Sequence, residues 1–190
     1  LIGKTNGLKG VEINLPYASV GATENTILAA VLADGSTIIE NAAREPEVVD
    51  LVKMLKNMGA QIEGEGTSEI TIQGVDSLKS TNHKVIGDRI VAGTYLAAFL
   101  ATKGSGVIKG IDPDNLPMEL KKFKEMGADL VINENSIEID SPNKISSIEI
   151  STLPYPGVAT DLQPIFGSCL LKANGTSIIT ENVYDQRFQW

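Results

Sequence analysis

Apolar and polar residues alternate over Val11-Glu12-Ile13-Asn14-Leu15, the period of a half-buried strand, and Pro16 ends that ladder. Past Ser19-Val20-Gly21-Ala22-Thr23-Glu24-Asn25, read as a short loop, comes an apolar run from Ile27 to Ala33 with no polar face. That run predicts a helix buried all round. Asp34-Gly35 closes it, because glycine takes the left-handed position at a helix end, and Ser36 to Glu40 (STIIE) reads as the next strand. A second helix opens at Glu45-Pro46-Glu47, since proline and acids suit a first turn. Val48, Leu51, Val52 and Leu55 share one face of it, with Glu47, Asp50, Lys53 and Lys56 largely elsewhere, so this helix is expected to be half exposed. After Met58-Gly59-Ala60, two strands at Gln61–Glu63 and Glu69–Gln73 flank the Gly64–Thr67 turn.

The pattern then begins again. Tyr95 to Ala101 matches the first apolar helix, Gly104 to Ile108 matches Gly35 to Ile39, and Met118 to Met126 matches the amphipathic helix. Met-Gly-Ala recurs with Gly59 and Gly127 standing 68 residues apart. Strands follow at Val131-Ile132 and Ser136–Ile139, and Ile148-Glu149-Ile150 opens a further unit with an apolar helix from Leu162 to Lys172. Each unit reads strand–buried helix–strand–amphipathic helix–strand–strand, an α/β module of βαβαββ type that repeats. The all-apolar first helix is expected to sit inside, with sheets around it. A polar, aperiodic stretch at Lys79–Lys84 predicts a domain junction near Ile86. The third unit stops before its second helix and the chain opens on Leu1, so the sequence is expected to be a piece of a longer protein.

Composition narrows the function classes. A net charge of -8 argues against nucleic-acid or anionic-membrane partners, so an anionic ligand would need local donors. No apolar run is long enough to span a bilayer and no signal peptide opens the chain, which makes the cytoplasm the expected compartment. One cysteine cannot form an internal disulfide, and the single His83 offers no metal cluster. No cofactor fingerprint or catalytic triad is present.

Several residues can carry chemistry. The start of the first helix leaves N–H groups unpaired and partly positive; Gly21 admits close approach and Ser19 adds a hydroxyl, a setting for an anion. The alternative is that Ser19 or Thr23 simply caps the helix. Asp161, in Ala159-Thr160-Asp161-Leu162-Gln163-Pro164, is placed to accept a proton from a hydroxyl, or to be a helix-start acid with Thr160 as cap. Asp88-Arg89 holds the parallel position before the second apolar helix, with the same two readings. Arg44-Glu45 reads alone as a solvated ion pair, and Arg187 as a carboxylate or phosphate clamp or a loose terminal residue. Cys169, within Ile165 to Leu171, is expected to be an inert core thiol.

The segments Ser19–Asn25, Ile39–Glu47 (IENAAREPE), Gly87–Ile90, Ala159–Gln163 and Ile179–Phe188 (ITENVYDQRF) together resemble the UDP-N-acetylglucosamine 1-carboxyvinyltransferase family of enolpyruvyl transferases, from about Val11 to Phe188. The resemblance implies two inside-out α/β barrels, each of three βαβαββ units. Residues 1-86 would then be the last repeat of one barrel, and 87-190 the first repeat and the start of the next repeat of the other. It implies transfer of the enolpyruvyl group of phosphoenolpyruvate to the 3-hydroxyl of UDP-N-acetylglucosamine, through a tetrahedral intermediate and with loss of phosphate. Tyr17, Ala18, Ser19, Val20 and Gly21 would hold the UDP-sugar, and Asp161 would contact its 3-hydroxyl as base. Val183 would offer a backbone contact, while Glu45, Asp88, Arg89 and Arg187 would line the cleft. Tyr17 stands where some members have lysine. The family's mobile loop, with its reactive cysteine or aspartate, has no counterpart here, and Cys169 is not that residue. The 190 residues are therefore expected to be inactive alone, and other segments of a parent chain become implied partners. The sister enzyme acting on shikimate 3-phosphate is the competing reading, and a non-catalytic module of the same fold a third.

Overall fold

Strand β1 (Glu12–Asn14) pairs in parallel with β2 (Ser36–Glu40), Ile13 lying opposite Ile39, and helix α1 (Val20–Ala30) connects them. After α2 (Pro46–Asn57), strands β3 (Gln61–Glu63) and β4 (Glu69–Gln73) complete an open sheet in the order β1-β2-β4-β3. Strand alternation puts Ile39, Ile62, Ile70 and Ile72 on one face, where Ile27, Val31, Val48, Val52 and Leu55 of the two helices cover them. The computed structural model describes Ile2 and residues 4–190, which fall into two units that divide between Val85 and Ile86.

Three details of the first unit correct the sequence reading. Helix α1 begins at Val20, so Ser19 is its N-cap and Gly21 belongs to its first turn; the segment is not a free loop. Within this unit only one side of α1 meets the sheet, leaving Leu28, and Leu32 just past its end, 50% and 56% exposed despite the apolar run. Asp50, expected on the solvent side of α2, is instead buried, its Oδ1 3.0 Å from His83 Nε2. That contact ties the polar stretch after β4 back onto α2.

In the second unit α3 (Arg89–Thr102), β5 (Ser105–Lys109), α4 (Pro117–Glu125), β6 (Asp129–Asn133) and β7 (Ser136–Asp140) repeat the pattern, with sheet order β5-β7-β6. Among the described residues no strand opens this module. Gly87 backs onto Gly110 just beyond β5, where a Cβ would lie 2.1 Å from the Gly110 carbonyl oxygen. After β8 (Ile145–Ser146), the β9 (Glu149–Ser151), α5 (Gln163–Leu170) and β11 (Ile178–Thr180) segment restores the parallel β-α-β arrangement, and β10 (Ala173–Asn174) pairs with β8.

The 68-residue period is physical as well as textual. Gly59 and Gly127 both adopt φ 102°, and Ala60 N–H to Leu55 O and Ala128 N–H to Phe123 O are both 3.0 Å. Each Met-Gly-Ala closes its helix by the same left-handed glycine turn. The second core gathers Leu96, Leu100, Phe123, Met126, Ile137, Leu162 and Phe166. Gly93 is required where α3 meets Leu162, since a Cβ there would lie 2.6 Å from Leu162 Cδ1. As in α1, one face of α3 stays open, at Val91 and Tyr95. Among the described residues no sheet closes into a barrel, no helix is long and apolar enough to cross a membrane, and no group of acids, histidine or cysteine is arranged to hold a metal.

Candidate functional site

In the first unit the start of α1 presents Tyr17 to Gly21. Ser19 Oγ accepts from Ala22 N–H at 3.3 Å and Ser19 O from Thr23 N–H at 2.9 Å. Neither Val20 N–H nor Gly21 N–H has an acceptor among the described residues, and both carry the positive end of the helix. Capping and anion binding are thus compatible here: the hydroxyl serves the inner N–H and the two outer ones remain as donors. Tyr17 is exposed beside them.

Thr23, fully buried, accepts Ala43 N–H at 3.0 Å and so fixes the β2–α2 connection against α1. Asn41 at φ 56° supports the same turn by donating to Leu15 O at 2.9 Å. This connection carries Arg44 and Glu45, and the expected ion pair between them does not form: Arg44 points to solvent while Glu45 is buried at the start of α2. Glu45 Oε2 is buried without a hydrogen-bond partner. Burial first, then the charges of Glu47 and Glu45, raise the Glu24 carboxyl above its ordinary range.

In the second unit Asp161 lies in the 3-10 turn Thr160–Leu162 that leads into α5. Its Oδ1 accepts from Arg187 Nη2 at 2.8 Å, and its side chain is 58% exposed, open to a ligand. Thr160 does not cap the helix, as the sequence suggested. Its hydroxyl lies 3.1 Å from Arg187 Nε and 3.0 Å from Glu181 Oε1. Glu181 Oε1 also accepts from Thr152 Oγ1 at 2.7 Å and from the N–H groups of Val183 and Tyr184, both at 2.9 Å. Burial alone would raise the Glu181 pKa, but these hydrogen bonds outweigh it and hold the carboxyl below its ordinary value. With the native value lowered, the network stabilises the fold above the ordinary glutamate range and is lost as pH falls through the lowered value.

Arg187 is thus an ordered clamp, its guanidinium also 4.9 Å from the Tyr184 ring centre. Val183 joins this cluster through its backbone; its N–H is taken by Glu181, so a ligand contact from this residue falls to its carbonyl. Arg89 is buried on α3 with Nη1 4.0 Å from Glu119 Oε1 and its guanidinium 5.5 Å from the centre of the Tyr155 ring. Glu119 is buried and its pKa is raised by that burial, against the opposing pull of the Ala159 N–H, donated at 3.0 Å, and of Arg89. Since Ala159 lies two residues before Asp161, Glu119 helps hold the approach to the turn. Asp88 acts as the α3 N-cap, accepting Ile90 N–H at 2.7 Å and Val91 N–H at 3.1 Å.

The structure therefore groups Asp161, Arg187 and Val183 in one cluster of the second unit, and Tyr17 to Gly21 with Glu45 around the α1 start of the first. Sequence reasoning missed Glu181 and Glu119, and misassigned Thr160. A threonine directly before a candidate base, paired with an acid 21 residues on inside a second motif, was the available signal. Cys169 lies apart from all of these. Its thiol donates to Ala97 O at 3.2 Å, and burial pushes its pKa up to about 11. At pH 8 that leaves about one thiolate in a thousand. Native protein is expected to show negligible alkylation of Cys169 by iodoacetamide until denaturant is added; rapid native-state labelling would contradict the packing described.

The family model for EPSP synthase (3-phosphoshikimate 1-carboxyvinyltransferase) matches residues 1–190. The UDP-N-acetylglucosamine 1-carboxyvinyltransferase of Nocardia farcinica is 46% identical over 190 residues, all of this chain and 45% of that protein. UDP-N-acetylglucosamine 1-carboxyvinyltransferase 1 of Carboxydothermus hydrogenoformans is 48% identical over 182 residues, 96% of this chain and 43% of its own length. The chain thus spans a little under half the length of these curated relatives. Among solved structures, the enolpyruvyl transferase NikO of Streptomyces tendae superposes with a TM-score of 0.85 at 24% identity, over 97% of this chain and 47% of that one. An EPSP synthase of Acinetobacter baumannii superposes with a TM-score of 0.62 at 22% identity, over 91% and 40%.

Proposed function

The chain belongs to the EPSP synthase family, and from that premise we propose that a protein of the relatives' length carrying these residues is a cytoplasmic UDP-N-acetylglucosamine enolpyruvyl transferase of peptidoglycan synthesis. The single observation that carries the substrate choice is the 46% identity, over all of this chain, to an enzyme named for the UDP-sugar.

In this reading Asp161 takes the proton of the sugar 3-hydroxyl as that oxygen bonds to C2 of phosphoenolpyruvate, while the C2=C3 π pair takes up a proton at C3 from an acid of the full-length site or from solvent, making C3 a methyl group. The tetrahedral adduct then loses phosphate and a C3 proton to regenerate the vinyl group. An exposed carboxylate held by one guanidinium suits this role: it is fixed in place, yet its second oxygen is open to the hydroxyl. Arg187 sets the carboxylate, and the Val183 carbonyl contacts the sugar nucleotide. Val20 and Gly21 N–H groups, with Tyr17, Ala18 and Ser19 around them, bind its anionic or carbonyl oxygens. Glu45 in the first unit, and Asp88 and Arg89 in the second, are assigned to substrate binding, Asp88 mainly by fixing the start of α3. The reaction needs no cofactor, and neither nucleic acid nor membrane insertion enters it.

The same reading makes 1-86 the last repeat of one inside-out barrel and 87-190 the first repeat and start of the next in a second. Its support is the repeated module together with the apolar surface of α1 at Leu28, of the turn after it at Leu32, and of α3 at Val91 and Tyr95, which further sheet would cover. The test is phosphate release from phosphoenolpyruvate by a chain of the relatives' length, with either acceptor. Turnover with UDP-N-acetylglucosamine and none with shikimate 3-phosphate is expected; the opposite preference would move the assignment to the sister reaction.

A further inference from the structure

Chemistry alone orients the hydrogen bonds between Glu181 and Asp161. An arginine side chain has no acceptor, so Arg187 Nε–H, 3.1 Å from Thr160 Oγ1, must meet a lone pair of that oxygen. An ionised carboxylate has no donor, so the Thr160 proton must point to Glu181 Oε1 at 3.0 Å. Thr152 is fixed by the same logic: its oxygen accepts Asn182 N–H at 3.0 Å and its proton goes to Glu181 at 2.7 Å. One carboxylate oxygen thereby collects two hydroxyls and two backbone N–H groups. It joins the end of β9, the turn before α5 and the segment after β11 that carries Arg187.

We propose that Glu181 is a positioning residue that acts through Thr160: the Glu181–Thr160–Arg187 chain holds the Arg187 guanidinium in the one orientation from which Nη2 reaches Asp161. The proposal rests on the reading of Asp161 as proton acceptor for its catalytic consequence, though not for its geometry. Two bonds, Nε to Thr160 and Nη2 to Asp161, define the plane of a guanidinium where one bond would leave it free to rotate. The lowered pKa of Glu181 accords with a carboxylate that stays ionised and keeps its four donors. Glu181 itself need touch no substrate.

Thr160→Val separates this role from loop stability. Valine keeps the shape and leaves Glu181 with Thr152, Val183 N–H and Tyr184 N–H, so the segment stays anchored, but Arg187 Nε loses its acceptor. Thr160→Ser keeps the hydroxyl. In the 190-residue protein, the Arg187 Nε–H resonance is expected to be slow to exchange in wild type and Thr160→Ser, and averaged with solvent in Thr160→Val. In a chain of the relatives' length, Thr160→Val is expected to lower kcat by about 10- to 100-fold with KM for UDP-N-acetylglucosamine nearly unchanged, and Thr160→Ser to restore most of it. A protected Arg187 Nε–H in Thr160→Val, equal kcat losses in the valine and serine variants, or full activity in the valine variant would each overturn the proposal. A wild-type chain that turns over neither acceptor would count against the proposed reaction, while the NMR comparison would still decide the positioning chain.

Discussion

Asp161→Asn is expected to lower kcat by about 10²- to 10⁴-fold in a chain of the relatives' length, the range removed with a positioned general base. Asparagine keeps the size of the side chain, and its oxygen can still accept from Arg187 Nη2, now at 2.8 Å from Asp161 Oδ1. What it cannot do is take a proton. The side chain is 58% exposed, so the fold and the 3-10 turn should survive the change, and KM for the UDP-sugar should move only a few-fold. An equal fall in affinity and turnover would make Asp161 a binding group. Activity within about threefold of wild type would remove it from the chemistry altogether.

Phe123→Ala is expected to destabilise the second unit by about 3–5 kcal/mol, the cost of removing a large aromatic from a packed core. Phe123 is fully buried on α4, and its ring centre lies 4.8 Å from that of Phe166 on α5. Losing it opens a cavity beneath the helix whose preceding turn carries Asp161, so the site should loosen along with the core. Trp190, the only tryptophan, reports on this: its indole donates to Gln163 Oε1 at 3.0 Å, and it packs where a Cβ on Gly167 would lie 2.4 Å from its ring. Urea unfolding followed by Trp190 fluorescence should show the midpoint falling with little change in slope. A loss below about 1 kcal/mol would mean that the Phe123 cavity collapses or that the ring is less enclosed than its burial indicates.

Local pattern predicted the elements well where the chemistry is local. The STIIE strand appears as β2 with its expected bounds, because alternation sets which face is buried. Met-Gly-Ala appears twice as the same helix stop, since only a residue tolerant of positive φ fits that turn. Failures came where one segment depends on a distant one. Nothing near Leu28 or Tyr95 announces that only one side of each apolar helix meets a sheet in its own unit, and nothing before Asp88 announces that, among the described residues, no strand opens the second module. The mixed α/β fold stands, whereas the closed barrel is not present among the described residues.

The site divides along the same line. Asp161 and Arg187 were singled out by residue type, but that they touch is a fact of tertiary structure. Thr160 looked like a cap because threonine before a helix usually is one. Here Glu181, from the strand end across the cluster, competes for that hydroxyl and wins as the charged acceptor. His83, in a polar stretch, and Asp50, between Val49 and Leu51 on α2, show the same effect away from the site: their side chains are held against each other.

The most direct test of the account is a calorimetric titration of a chain of the relatives' length with UDP-N-acetylglucosamine, beside shikimate 3-phosphate under the same conditions. Saturable binding of the UDP-sugar, weakened by Ser19→Ala and absent for shikimate 3-phosphate, is the predicted result. Saturable binding of shikimate 3-phosphate with none of the UDP-sugar would contradict it.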